Sequence, residues 1–295
     1  LTMCGIAGYS LFSNIHHPPN WPDIPLHRLS HRGPDDSDSF ISHDGKTCLV
    51  HTRLSVLDLS QLGHQPMVSN DSRFVLVFNG EIYNFKELKA ELEAKGYCFR
   101  GDSDTEVLLF LLADVLSQVN TIASQAPLSS MLRRLNGIFS FALWDSTLCS
   151  LLIARDAFGV KPLYLKCSPG GIFFSSEIKA FHETTLTIDH SSIDSYLSFL
   201  SCPGDGTPVQ EIRKLGPGQS CWISQGVLCS KWNWYSLPCF RQKSYSGYLL
   251  SSESEAISGV ESHLRQAVQR QLVSDVPVGA FLSGGIDSST VVALM

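Results

Sequence analysis

Met3-Cys4-Gly5-Ile6-Ala7-Gly8 stands two residues into this chain, and the fold turns on how it is read. A cysteine behind a methionine becomes an amino-terminal residue once that methionine is removed. It then carries a thiol and a free α-amine together, so one residue holds both nucleophile and general base. Terminal Thr or Cys residues activated by their own amine are a known route to a side-chain nucleophile near neutral pH. The α-amine, with a reference pKa of about 7.7–8.0, suits the proton transfers of acyl chemistry. The apolar, glycine-containing run behind it, Ile6 to Tyr9, reads as a strand anchoring this terminus in a core. Leu1 and Thr2 oppose the reading, because with them in place the amine is an amide. Met3 is therefore expected as the true start, with Leu1-Thr2 a boundary artefact or a segment requiring removal. Standing alone, Cys4 would read as a buried structural cysteine.

Composition excludes several classes. The 295 residues suffice for two domains with real cores. Charged residues make up 17% and the net charge is −6, which argues against a nucleic-acid partner. No apolar run approaches the roughly 20 residues of a membrane span, and no secretory signal precedes Met3. The nine cysteines are scattered without a C-x-x-C pair, which fits reduced thiols in a cytoplasmic protein better than a disulfide frame or a metal site. Cys48, Cys149 and Cys221 lie in apolar, strand-like stretches and are expected in the core.

Up to residue 190 short strand-like runs alternate with turns and two helices. Strands are expected at 47–51, 74–78, 140–144, 151–154, 162–165 and 171–175. One helix is expected from Asn84, with Glu87 in capping-box spacing and a stop at Gly96. A second runs from about Thr105, its start marked by acidic residues that favour a helix amino terminus. Many strands with few helices between them predict antiparallel sheets covered by helices, an α+β sandwich. Polar clusters interrupt this pattern. Asn79-Gly80 directly follows an apolar strand; it reads either as a tight turn or as two donors, an amide and a backbone N–H, aimed one way as an oxyanion hole requires. Arg53, at the end of another strand, could clamp a carboxylate. Glu81 and Asp104 could hold an ammonium, although each singly is more often a cap or a surface charge.

With these segments the chain resembles the glutamine-hydrolysing asparagine synthetases, in which a class II glutamine amidotransferase is joined to an ATP-using synthetase domain. The segments are MCGIAGY (3–9), HRGPDD (31–36), RLSVLDLS (53–60), GHQPM (63–67), FNGEIYNF (78–85), GDSDTEV (101–107), ARDAFGVKPLY (154–164) and FSSEIKA (174–180). The resemblance implies an Ntn-hydrolase-type αββα sandwich over residues 3–190, a connecting segment over 191–250 and the beginning of a synthetase domain over 251–295. It implies Cys4 as the nucleophile, Asn79 and Gly80 as the oxyanion donors, Arg53 for the glutamine α-carboxylate, and Glu81 and Asp104 for its ammonium. It further implies Arg32 near the site, on a loop closing over glutamine. Arg155-Asp156 and Lys161-Pro162 are expected at the domain interface or in packing.

In the second half a helical stripe is expected over 193–200, a strand pair at 220–223 and 227–234, a Ser-rich linker over 240–252, and an amphipathic helix starting at a Ser252–Glu255 capping box. Val276–Leu282 then reads as a buried strand, followed by Ser283-Gly284-Gly285-Ile286-Asp287-Ser288 and another helix. Glycines and serines at a helix start are suited to phosphate oxygens. The run is similar to the S-G-G-x-D-S loop of ATP pyrophosphatases, which implies ATP and Mg²⁺ as cofactors held by Ser283, Gly284, Gly285, Asp287 and Ser288. No resident protein-held metal is expected. The resemblance also implies aspartate as acceptor and a homodimer; a different carboxylate acceptor, or a non-catalytic protein if Cys4 stays blocked, are the alternatives. The chain is expected to be the amino-terminal part of a longer protein, with the segment after about 250 poorly folded by itself, since a lone parallel strand leaves its edges unpaired.

Overall fold

A strand whose every residue is buried belongs at the centre of a sheet, and β1 (Gly5–Leu11) is such a strand. The computed structural model describes residues 3–15, 20–118, 125–181, 186–238 and 252–295. The chain divides into two compact units, the first ending at Ser236 and the second running from Leu237 to Met295.

The first unit holds two six-stranded sheets, antiparallel throughout. In one, β1 lies between β3 (Thr47–Arg53) and β9 (Gly171–Ser175); β2 (Asp36–Ile41) edges β3, while β8 (Tyr164–Ser168) and β10 (Ile212–Lys214) follow β9. In the other, β4 (Met67–Val68), β5 (Phe74–Ile82), β6 (Gly137–Asp145), β7 (Ser150–Arg155), β11 (Gln219–Ser224) and β12 (Val227–Asn233) lie side by side. Successive side chains of a strand point to opposite faces. Ile6 and Leu49 thus meet Val75, Val77, Ala142 and Ile153 in the core between the sheets. Ala7, Tyr9, Cys48 and Val50 turn the other way onto Trp21 and onto Leu29 of α1 (Asp23–Leu29). On the far face of the second sheet α3 (Asp104–Ser117) packs over β5 and β4, with α2 (Phe85–Ala94) and α4 (Gln125–Arg134) beside it. Layer by layer this is the αββα sandwich of antiparallel sheets that the resemblance implied.

Residues 191–235, expected as part of a connection, supply α5 (His190–Phe199) and then strands to both sheets. Trp234 Nε1 donates to Arg155 O at 3.1 Å and Arg133 Nε donates to Trp234 O at 2.8 Å, which tie that tail onto the sandwich. Two local expectations need correction. Asn84 makes no capping bond to α2, because its amide is engaged elsewhere: Oδ1 accepts from Asn136 N at 2.9 Å and Nδ2 donates to Arg134 O at 3.0 Å. Cys149 is exposed rather than in the core, since it sits at the β6–β7 reversal with φ +46°.

The second unit contains α6 (Glu253–Gln271) and α7 (Ile286–Leu294). Ser252 Oγ accepts from Glu255 N at 3.2 Å, so the expected cap is formed. The buried strand expected over 276–282 is not there: these residues belong to no ladder, and Val278, Phe281 and Leu282 are exposed. A strand needs neighbours for its backbone groups, and this unit offers none. Neither helix has a buried residue. The linker expected over 240–252 lies outside the described residues except for Ser252, and Leu1-Thr2 lies outside them as well.

Candidate active site

The register Gly5↔Thr52 sets Cys4, at the head of β1, beside the end of β3. Leu54 N donates to Cys4 Sγ at 3.4 Å and the thiol approaches Leu54 O at 3.6 Å, fixing the sulfur at the sheet rim. Burial pushes this thiol above its ordinary pKa, with the Leu54 N–H acting the other way. Arg53 closes β3, its guanidinium donating to Ser60 O at 3.0 Å and to Asp58 O. Across the sandwich the end of β5 carries Asn79, Gly80 and Glu81. Gly80 is required by close approach: a Cβ there would stand 2.3 Å from Ile138 O of β6. Asp104 is the first residue of α3, whose start is capped by Ser103 Oγ accepting from Glu106 N at 3.2 Å, and Asp104 Oδ2 accepts from Ile82 N at 2.9 Å.

Cys4, Arg53, Gly80, Glu81 and Asp104 line one small pocket together with Gln65. Asn79 is fully buried next to it, and neither amide atom has a hydrogen-bond partner among the described residues. An orphaned buried amide costs about 1–3 kcal/mol, a cost that a hydrogen-bonding ligand reaching this side chain would relieve. Glu81, half-buried, and Asp104, buried, are neighbouring carboxyls. Burial, reinforced by the Asp104 charge, pushes Glu81 up to about 8; burial raises Asp104 to about 6, opposed by the Ile82 N–H. Two such acids resist ionising together, and an incoming cation would relieve both.

Sequence reasoning missed two groups here. Lys161, expected at the domain interface or in packing, is buried with its Nζ 2.8 Å from Met3 Sδ, and burial lowers its pKa. Its companions in that motif do pack: Arg155 donates to Lys161 O and Gly159 O, while Asp156 accepts from the N–H groups of Phe139, Val160 and Lys161. Gln65 Oε1 accepts from Phe78 N at 2.7 Å and Nε2 donates to Thr105 Oγ1 at 3.3 Å, bracing β5 against α3. Gln65 gave no sequence signal beyond its place in GHQPM. Arg32, read from the resemblance, lies at the site: Nε donates to Cys4 O at 2.9 Å and Nη1 to Glu177 Oε1 at 2.8 Å.

In the second unit Ser283, Gly284, Gly285, Asp287 and Ser288 form one loop entering α7. Ser283 Oγ and Ser288 Oγ lie 2.9 Å apart, Gly284 has φ +81°, and Asp287 is in the first turn of the helix. No group of three or more potential metal ligands occurs among the described residues. No described helix is long and apolar enough to cross a membrane.

The layer order and the thiol at the head of a central strand define the class, an Ntn-hydrolase-type sandwich. Residues 3–235 match the family described as glutamine amidotransferase domain, and the chain belongs to that family. Residues 259–295 match the family described as asparagine synthase. The chain is 35% identical over 269 residues to asparagine synthetase [glutamine-hydrolyzing] 1 of Bacillus subtilis, covering 90% of this chain and 39% of that protein. It is 32% identical over 274 residues to amidase chry2 of Gibberella zeae, covering 92% of this chain and 38% of that protein. The chain thus spans about two-fifths of the length of these curated relatives. Among solved structures, glutamine phosphoribosylpyrophosphate amidotransferase from B. subtilis shares the fold, with a TM-score of 0.55, 20% identity, and 78% of this chain and 49% of that one covered.

Proposed function

We propose that this chain is the glutamine-hydrolysing part, with the start of the synthetase part, of an ATP-dependent asparagine synthetase. The observation that carries the reading is the single pocket lined by Cys4, Arg53, Gly80, Glu81 and Asp104. Glutamine enters with its α-carboxylate toward Arg53 and its α-ammonium toward Glu81 and Asp104, whose shared strain the cation relieves. With Met3 removed, the Cys4 amine takes the thiol proton and the sulfur attacks the side-chain carbonyl. Asn79 Nδ2 and the Gly80 N–H receive the developing oxyanion, a contribution typically worth 10²–10³ in rate per donor. The amine returns the proton to the leaving nitrogen, ammonia departs, and water cleaves the thioester to glutamate.

The ammonia is used at a second site, where ATP activates the aspartate β-carboxyl as an acyl-adenylate and ammonia displaces AMP. Ser283 and Ser288 hydroxyls, with the Gly284 and Gly285 N–H groups at the start of α7, suit phosphate oxygens. Asp287 is the single acid of this loop, so a Mg²⁺ held there would draw its other ligands from phosphate and water. Cytoplasmic location, a homodimer and a synthetase part beginning at residue 251 belong to the same proposal.

The test follows the amide nitrogen. Full-length, processed protein is given amide-labelled [¹⁵N]glutamine, ATP-Mg²⁺ and aspartate, and the label is located by mass spectrometry. Label in asparagine with AMP alongside is the expected result, and label remaining in glutamine sinks the reading. The similarity to amidase chry2 favours a second reading, in which the same half-reactions serve a different carboxylate. Label in free ammonia, with none in asparagine, supports that version.

A further inference from the structure

Lys161 is a buried cation without an ion-paired carboxylate among the described residues. Its near neighbour is the thioether of Met3, the residue that must leave before Cys4 becomes terminal. Burying an unpaired ammonium is costly and calls for a reason. Packing alone does not supply one, because a methionine or leucine would fill that space without the desolvation penalty.

Resting on the reading above, we propose that Lys161 is a positioning residue for the freed terminus: once Met3 is gone, its positive charge beside the Cys4 α-amine keeps that amine in the neutral, proton-accepting form. Geometry provides the proximity, since Lys161 already touches the residue bonded to the Cys4 nitrogen. The charged groups around it are Glu81 from β5, Asp104 from the start of α3, Arg32 after α1 and Asp156 after β7. Arg32 adds to the effect. Asp156 is occupied by backbone N–H donors, including that of Lys161 itself. Glu81 is the natural canceller, and burial keeps it largely protonated near neutral pH. Asp104, raised only to about 6, remains largely ionised there, so the cation acts on the amine partly opposed by that one carboxylate. A neighbouring positive charge disfavours protonation, which lowers the amine's pKa and raises the fraction of free base at neutral pH.

The experiment compares the wild type, Lys161→Met and Lys161→Arg as full-length proteins, each confirmed by mass spectrometry to begin at Cys4. Lys161→Met keeps the apolar stem, so folding is expected to survive; thermal denaturation checks this. Loss of the cation is expected to move the acidic limb of glutaminase kcat/KM upward by about one pH unit, and Lys161→Arg to restore it. The same shift is expected in the titration of the Cys4 α-carbon, read by NMR in [¹³C]cysteine-labelled protein and assigned with Cys4→Ser. An unmoved limb and titration in Lys161→Met overturn the proposal. An unmoved titration with a raised KM for glutamine also overturns it and points to Glu81 as the group Lys161 serves. Wild type that starts at Cys4 but releases no ammonia breaks the glutaminase reading instead, and the titration still reports on Lys161.

Discussion

Two polar clusters on this chain, around Cys4 and around Ser283–Ser288, are held in opposite ways. The first is assembled from β1, β3, β5 and the start of α3, segments far apart in sequence, with Asp104 buried and Glu81 half-buried. The second is local: its hydroxyls bond to each other and to Gly285 O, and every residue of it is exposed except the half-buried Ser288. Long-range pairing can shift a pKa and strand an amide without a partner, because the surrounding sheets fix the geometry. A local loop at a helix start can only offer donors, and water satisfies them. Chemistry that needs prepared groups therefore belongs to the first cluster, while binding of a ligand that brings its own charge suits the second.

The sharpest way to break this contrast is Cys4→Ala. It is expected to abolish glutamine-dependent activity while sparing ammonia-dependent synthesis in the full-length protein, each assayed as product formed. Loss of both activities would mean that the two clusters are not separate sites. A large structural effect is expected at Asp145, fully buried at the end of β6, where Arg73 donates to both carboxylate oxygens at 3.0 and 2.8 Å and Thr147 N donates at 2.9 Å. Asp145→Ala leaves those donors stranded and should cost about 3 kcal/mol in urea unfolding, near the lower end for a broken buried pair because Arg73 reaches solvent.

Smaller is the pH effect of Glu81. Its folded pKa, raised to about 8, lies above the unfolded value, so the folded state holds the proton more tightly and stability falls as pH rises toward 8. His51 works oppositely, burial depressing it to about 3, so its contribution grows with pH up to about 6.5 and is then constant. Between pH 7 and 8.5 the urea midpoint should thus decline, and Glu81→Gln should flatten the decline; an equal slope in both proteins would show that Glu81 is not strained. The smallest effect is expected in the second unit. Arg265 donates to Glu261 Oε1 at 3.0 Å, both side chains half exposed or more, so Arg265→Ala should change stability by less than about 0.5 kcal/mol. A loss comparable to that at Asp145 would show that α6 carries more of the fold than its exposure suggests.

Legibility in the sequence followed the same division. β9 was read residue for residue and the start of α3 within one residue, because apolar periodicity and caps are local signals. The polar edge strand β2, Asp-Ser-Asp-Ser-Phe-Ile, gave no such signal; charge on an edge is what keeps it from pairing further, and it hides the strand from a hydrophobic pattern. Val276–Leu282 misled in the reverse direction, its apolar run being real but lacking neighbours. Around the pocket, motif resemblance named Cys4, Arg53, Asn79, Gly80, Glu81 and Asp104. It placed Lys161 at the domain interface or in packing, since a buried lysine facing a terminus leaves no trace in residue type or spacing.

The position of β1 also has a consequence for synthesis of the chain. Ile6 N donates to Ser176 Oγ, 170 residues further on, at 3.0 Å. At about 5–20 residues per second, the ribosome needs roughly ten to thirty seconds to supply that partner after the first strand has emerged. During that interval β1 has β3 for a neighbour but not β9, so the Cys4 thiol at its head is less enclosed and more open to oxidants. The strand that follows Cys4 gains its β3 neighbour early and its β9 neighbour late.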